Sequence, residues 1–183
     1  MYTTYVNPCE NKPFTETIKD NIRYLGMHVF GVHNPEKKDF RNFVYTVGNC
    51  TRSPDSLELM MFIGSPAYGV RILQGILDDL NKGTIVERLK KVKFLKFRCT
   101  QTNHILAMRM CTGMTRDIAL QKYAVELNNP LFVYGSDRIN LVQIIFVENS
   151  QCKLPGEDEW IQEEGEPCIT PSDMHLQEWR VGV

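Results

Sequence analysis

Three β-strands in succession are predicted by residues 27–63, which read MHVFGVHNPEKKDFRNFVYTVGNCTRSPDSLELMMFI. Met27 to His33, Asn42 to Gly48 and Leu57 to Ile63 are rich in β-branched and aromatic residues, and polar turn residues separate them. Such short connections join antiparallel neighbours, whereas a parallel pair needs a longer crossover. This stretch therefore predicts an antiparallel meander within an α+β fold.

Two helices are predicted on either side of this meander. Residues 16–24 form the first, with Gly26 to end it and with apolar side chains on one face, namely Ile18, Ile22 and Leu25. Ser65 and Pro66 are typical of the start of the second helix, which Gly83 ends. Its apolar side chains recur at helical spacing at Val70, Leu73, Leu77 and Leu80.

Further strands are predicted at Val92 to Cys99, Ile105 to Met110 and Ile139 to Val147, with a third helix opening at Thr115. Together these elements predict a single domain with a mainly antiparallel, curved sheet and two to three packed helices. An acidic C-terminal extension follows the domain.

The charge of the 183-residue chain is uneven along its length. It has 21 basic and 22 acidic residues, a near balance that disfavours a general nucleic-acid binder, and 43% of its residues are hydrophobic, which excludes a disordered chain. Residues 155–183 hold eight acids and one base, a net charge of −7, which leaves +6 for residues 1–154. We therefore predict a core domain at 1–154 and an extension at 155–183 that packs on the core or on a partner. Trp160 and Trp179 in that extension favour burial over a solvated tail.

The positive charge is concentrated in residues 88–98, where six bases alternate with apolar residues. The pattern predicts an amphipathic strand with a basic face. Docking of the acidic extension on this face is the first interpretation, binding of a protein partner the second and binding of nucleic acid the third. The predicted contact surface comprises Arg88, Lys90, Lys91, Lys93, Lys96, Trp160 and Trp179.

Cysteine spacing and hydropathy bear on the compartment. The six cysteines include no C-x-x-C pair, the chain begins without the basic and apolar regions of a secretory signal, and Leu59 to Gly64 is too short to span a membrane. We expect reduced thiols, a cytoplasmic protein and no membrane association.

Two groups of residues are candidates for chemistry. Cys99, His104 and Cys111 could converge on a metal with His28 or Cys50 as a fourth ligand, but cysteine is also common as a small buried hydrophobe. We therefore predict no metal and no cofactor.

Tyr45, His104 and Arg98 are the second group and could line a polar pocket. Against this, alternation puts Phe43, Tyr45 and Val47 on one face of a strand and Val44 with Thr46 on the other, so Tyr45 also fits a core position.

Several segments agree in order and spacing with one known family. They are the helix and strand of residues 22–32, the Tyr-Thr-x-Gly segment of Phe43 to Gly48, the Pro-x-x-Leu-Glu-Leu segment ending at Leu59, the late Gln-containing strand at 142–146 and the stretch from Pro155 to Trp160. The chain thus resembles the domain of unknown function 4262 family, found mainly in bacteria and their phages. Val147 to Ser150 stand where the family usually carries Pro-Asp, so the resemblance is to a divergent member.

The resemblance implies a small α+β fold and supplies no activity, cofactor or catalytic residue. It allows a large DNA virus as the source, in which case the protein would act in the host cytoplasm or nucleus.

A non-enzymatic binding protein is the leading functional prediction, because the sequence holds no convincing nucleophile, metal or phosphate motif. The alternative is a small hydrolase or transferase that uses the Tyr45, His104 and Arg98 pocket. A protein partner is favoured over nucleic acid, and an exposed edge strand would allow a homodimer.

Overall fold

The computed structural model describes the chain in separate ranges, which are residues 2–4, 14–32, 42–53, 55–63, 66–80, 84–92, 94–99, 105–112, 116–117, 119–120, 139–147 and 178–181. Its helices are α1 (Phe14–Leu25), α2 (Pro66–Leu80) and α3 (Thr84–Leu89), with a short 3-10 turn at Asn49–Thr51. Its strands are β1 (Tyr2–Thr4), β2 (His28–Val32), β3 (Phe43–Val47), β4 (Leu57–Phe62), β5 (Leu95–Cys99), β6 (Ile105–Cys111), β7 (Asn140–Val147) and β8 (Glu178–Val181).

All of these strands belong to one open sheet in the order β1-β2-β3-β4-β7-β6-β5-β8. The predicted meander is confirmed, because β2, β3 and β4 pair antiparallel in succession. Antiparallel pairing also joins β1 to β2, β7 to β6 and β6 to β5, so the sheet is mainly antiparallel as predicted. With its helices it makes an α+β fold, while the curvature of the sheet stays a prediction.

The pairing of β4 with β7 is parallel and was not expected. Leu57 lies opposite Asn140 and Met61 opposite Ile144. The chain leaves β4, forms α2, α3, β5 and β6, and returns to lie beside β4. A parallel neighbour requires such a long connection.

Each face of the sheet is covered by a different layer. The first face packs on α2 and α3 through a wholly apolar cluster that includes Val44, Leu59, Leu73, Ile85 and Ile144. The second face packs on α1 through Ile18 and Ile22, and on Ala119 and Leu120. The prediction for β3 is confirmed, since Phe43, Tyr45 and Val47 join the second cluster and Val44 joins the first.

The structure differs from the predictions in three details. Leu25 was expected on the buried face of α1, but its side chain is 65% exposed. It is the last helical residue, and the left-handed backbone of Gly26 (φ 83°) ends the helix directly after it, before the chain enters β2. The short helix α3 was not predicted.

The basic run is the third difference, because it does not form one strand. Arg88 belongs to α3, Lys90 and Lys91 lie in a turn, and only the bases from Lys96 onward belong to β5. Several predictions fall outside the described residues, namely the domain boundary at 154/155, Trp160 and Lys93. Of the helix predicted from Thr115, the structure describes only residues 116–117 and 119–120.

None of the helices in the described part of the chain is long and apolar enough to cross a membrane.

Candidate functional site

Four polar side chains are buried on the second face of the sheet. His28, Glu58, Gln143 and Arg109 each lie two residues along their strand from an apolar member of the second cluster, which places them on the same face as that cluster. All four are at most 4% exposed. The buried ionisable side chains His28, Glu58 and Arg109 thus share the second face, where the fold concentrates buried polar chemistry.

Strand register arranges these residues in two rows that run across the sheet. One row follows the pairs Tyr45 with Met60, Met60 with Gln143 and Gln143 with Arg109. The second row contains the pairs His28 with Val47 and Glu58 with Leu141. Val47 and Glu58 lie two residues beyond the Tyr45–Met60 pair of β3 and β4, so His28 and Glu58 are two strands apart, about 10 Å.

The Glu58 carboxyl group is fully buried and bonded to groups of its own chain. The Thr46 hydroxyl donates to Oε2 at 2.5 Å, and the backbone N–H of Cys50 donates to Oε1 at 2.9 Å. The Thr46 oxygen also accepts the N–H of Leu59 at 2.9 Å, where the β3–β4 ladder has ended. Glu58 therefore joins the end of two strands to the turn at residues 48–53.

That turn has its own local cause in the sequence. Gly48 has φ 92°, a left-handed conformation that glycine adopts without steric cost, and a Cβ there would lie 2.8 Å from side-chain atoms of Ile22. The Asn49 amide donates to the carbonyl of Leu57 at 2.9 Å, and the Thr51 hydroxyl donates to the carbonyl of Gly48 at 2.7 Å. These bonds fix the backbone N–H of Cys50 where it meets the carboxyl group.

Burial decides the protonation of this cluster. It raises the pKa of the Glu58 carboxyl group, although the hydrogen bonds from Cys50 and Thr46 act in the opposite direction. Burial and the nearby Glu58 raise the pKa of the Cys50 thiol to about 12, and burial raises the pKa of Cys111 to about 12. Both thiols are thus protonated at neutral pH and poorly suited to act as nucleophiles.

His28 is the buried residue with an unused polar atom. Its Nδ1 lies 2.9 Å from the amide nitrogen of Asn21, and its ring packs edge-on against Phe30 with 4.7 Å between centroids. Among the described residues its Nε2 has no hydrogen-bond partner. Burial lowers the pKa of His28 from 6.5 to about 4, so the ring is neutral at neutral pH.

Arg109 is buried on the second face and contacts Gln143 and Phe94. Its Nε donates to Oε1 of Gln143 at 2.8 Å, and its guanidinium group lies 5.8 Å from the ring centroid of Phe94. A cation against an aromatic face and a carbonyl oxygen is a stabilising arrangement for a buried guanidinium group.

Two of the three predicted catalytic residues, Tyr45 and Arg98, lie on strands that are far apart in the sheet. Tyr45 is fully buried and stacks on Phe30 at 5.0 Å and on Phe43 at 6.0 Å between ring centroids. Arg98 is on β5, four strands away from β3, which is about 19 Å across the sheet. His104 lies outside the described residues.

Two of the candidate metal ligands, Cys99 and Cys111, also lie far apart. Cys99 ends β5 next to the start of β6, whereas Cys111 ends β6, six residues or about 20 Å farther along the strand. No group of three or more His, Cys, Asp or Glu side chains suited to a metal occurs within the described ranges.

The predicted contact surface centres on the β5 edge of the sheet. β8 pairs with β5 in parallel, so that Lys96 lies opposite Glu178 and Phe97 opposite Trp179. Lys91 is exposed and Lys96 is half-buried. This edge thus brings a segment of the acidic extension beside part of the basic run.

Arg88 and Lys90 are more closely tied to the body of the domain. Arg88 is half-buried in α3, and Lys90 forms ion pairs with Glu87 at 3.0 Å and Asp55 at 3.5 Å. Lys91 and Lys96 are therefore the better positions at which to test a contact surface.

Sequence reasoning did not single out Glu58. A signal was present, because Glu58 is the one charged residue of β4 and both its neighbours, Leu57 and Leu59, are apolar. A strand buried on both faces leaves an acid no route to solvent, so such a residue marks a buried polar site.

Comparisons of the chain with protein-family models, with curated proteins and with solved structures found no match. The resemblance to the domain of unknown function 4262 family therefore stays a prediction.

Proposed function

We propose that this protein is a non-enzymatic interaction module that binds an extended segment of another protein along the β5 edge of its sheet. The observation that carries the proposal is the pairing of β8 with β5, in which a C-terminal segment of the chain lies as an added parallel strand. Addition of a strand to a sheet edge is a recurring mode of peptide recognition, since the backbone supplies the hydrogen bonds and the side chains supply the specificity.

Charge supports a partner with acidic character. The extension that supplies β8 carries a net charge of −7, and Lys91 and Lys96 lie in the turn before β5 and in β5 itself. Complementary charge raises the rate of association and selects against basic partners more than it raises affinity. Each exposed ion pair contributes only about 0 to 1 kcal/mol, so backbone pairing has to supply much of the binding energy.

The second face supports a structural role for the buried polar residues. Glu58 is bonded within the chain to Thr46 and Cys50, and Arg109 is bonded to Gln143. The position of Tyr45 and Arg98 on strands four apart favours this role over the hydrolase or transferase alternative, which needs both side chains in one pocket.

Location and origin complete the proposal. The thiols of Cys50 and Cys111 are free, which is in keeping with a reducing compartment such as the cytoplasm. The proposal includes the family resemblance and the viral or phage source that it allows, in which case the partner would be a host protein.

The test uses the full chain and a labelled peptide with the sequence of residues 174–183. Trp179→Pro removes a backbone N–H from β8 and should free the edge, whereas Ser172→Pro lies before the strand and serves as the control. We expect the peptide to bind the Trp179→Pro variant, as measured by fluorescence anisotropy, and amides of β5 to be protected from hydrogen exchange when it does.

Charge reversal identifies the surface. Lys96→Glu added to the Trp179→Pro variant should weaken peptide binding, and Lys19→Glu on the exposed side of α1 is the matched control. Equal binding by the two charge variants would contradict the proposal. So would tight binding of a single-stranded oligonucleotide, weakened by Lys96→Glu, in the absence of peptide binding.

A further inference from the structure

We infer that β8 is a built-in competitor for the β5 edge, and that the partner it competes with is an extended segment with an acid–aromatic–acid sequence. This inference rests on the proposed function, because it assumes that the β5 edge is the binding site. It adds the chemistry of the partner and the way in which the chain regulates access.

The register of β8 on β5 defines three successive positions of a binding strand. Glu178 lies opposite Lys96, Trp179 opposite Phe97, and Arg180 opposite Arg98. Neighbouring strands lie about 4.8 Å apart, so opposite charges at paired positions favour the pairing and like charges disfavour it, and two aromatic residues at paired positions also favour it. The first two positions of β8 therefore suit β5 and the third does not.

An external strand that carries an acid at the third position would suit all three. Replacing a repelling pair with an attracting pair changes the interaction by up to about fivefold in affinity, from the usual size of a cross-strand charge pair. β8 thus carries favourable residues at the first two positions and an unfavourable residue at the third. Such an occupant keeps weak or unrelated partners out and yields to a better one.

Tethering explains how a mismatched strand can still occupy the edge. Thirty residues, 148–177, connect the end of β7 to the start of β8. A segment joined to its binding site within one chain meets that site at an effective concentration that a free peptide has to exceed. A free partner has to exceed that advantage, which makes the identity of its third residue important.

The experiment compares three labelled peptides of residues 174–183, binding to the intact chain and to the Trp179→Pro variant. The peptides carry the native sequence, the substitution Arg180→Glu, or the control substitution Glu178→Lys. We expect the Arg180→Glu peptide to bind most tightly, by about fivefold over the native peptide, and the Glu178→Lys peptide to bind most weakly. All three should bind the Trp179→Pro variant more tightly than the intact chain.

Hydrogen exchange measures the competition directly. On addition of the Arg180→Glu peptide to the intact chain, amides of residues 178–181 should exchange faster while those of residues 95–99 stay protected. The built-in competition is overturned if the peptides bind the intact chain and the Trp179→Pro variant equally well. The partner chemistry is overturned if the native and Arg180→Glu peptides bind equally, and the proposed function itself is overturned if no peptide binds either protein.

Discussion

Two buried groups on the second face should make the stability of the protein depend on pH in opposite directions. Burial lowers the pKa of His28 to about 4, so between pH 6.5 and 4 the unfolded chain binds a proton that the folded protein does not. The stabilisation from neutral His28 is therefore complete above pH 6.5 and is lost as the pH falls toward 4. A shift from 6.5 to about 4 corresponds to about 3 kcal/mol.

Glu58 acts in the other direction. Burial raises the pKa of Glu58, so the folded protein holds a proton at pH values where the unfolded chain has released it. Its contribution to stability is complete below pH 4.5, the ordinary pKa of the carboxyl group, and is lost as the pH rises through its folded pKa. In the wild-type protein the two effects on stability partly cancel. Substitution of one of the two residues should therefore expose the pH dependence that is due to the other.

The perturbation for His28 is His28→Phe, which keeps an aromatic ring against Phe30 and removes the titrating nitrogens. At pH 7 it should change the free energy of unfolding by less than about 1 kcal/mol, since it loses the contact with the half-buried Asn21 but also removes a buried nitrogen without a partner in the described part of the chain. From pH 7 to 4.5 the free energy of unfolding of the wild type should fall by about 2 to 3 kcal/mol relative to that of this variant.

Urea denaturation at pH 7, 6, 5 and 4.5 measures these differences for the wild type, His28→Phe and Glu58→Gln. Over the same range the wild type should gain stability relative to Glu58→Gln as the pH falls, and Glu16→Gln on the exposed start of α1 is the matched control for the amide substitution. A difference between wild type and His28→Phe that does not change with pH would refute the reasoning, because it would mean that His28 has equal access to protons in both states.

Two further predictions concern the turn that holds Glu58. Thr46→Val keeps the shape of the side chain but removes the hydroxyl group that serves two buried partners, and should cost about 2 to 5 kcal/mol by chemical denaturation. The exposed control Thr15→Val in α1 should cost about 1 kcal/mol or less, and equal losses would contradict the Glu58 network. Gly48→Ala should lower the melting temperature more than Gly26→Ala, although both glycines have positive φ. The new methyl group meets the buried Ile22 at the first position, whereas at the second it meets the exposed Arg52 side chain, which can move into solvent at the loss of its hydrogen bond to the carbonyl of Leu25. A calorimetric scan that gives the reverse order would contradict that difference.

Local signals in the sequence were sufficient for much of the fold. Short polar connections predicted the β2–β3–β4 meander. Pro66, followed by apolar residues at helical spacing, predicted α2. The parallel pairing of β4 with β7 could not be predicted in this way, because nothing near Leu57 indicates that its neighbour is Asn140. α3 was missed because a helix of six residues depends on tertiary burial more than on helix propensity.

The candidate site was less accessible to sequence reasoning. An acid between Leu57 and Leu59 is a visible sign of a buried polar group, but its hydrogen-bond donors depend on how the chain turns at Gly48. The basic run predicted a surface, yet only the structure separates Lys90, which is engaged with Glu87 and Asp55, from the exposed Lys91. Spacing along the chain carries no information on such distant contacts.

The parallel pairing of β4 with β7 also has a consequence for how the protein is made. In the described sheet this pair joins the strands of residues 2–62 to those of residues 95–147, so the first group cannot complete its hydrogen bonding until β7 has been synthesised. About 80 residues separate the two strands, which corresponds to roughly 4 to 16 s of translation at 5 to 20 residues per second. During that interval the apolar edge of β4 is open to wrong partners, so the newly made N-terminal half is the part of the chain most in need of a chaperone.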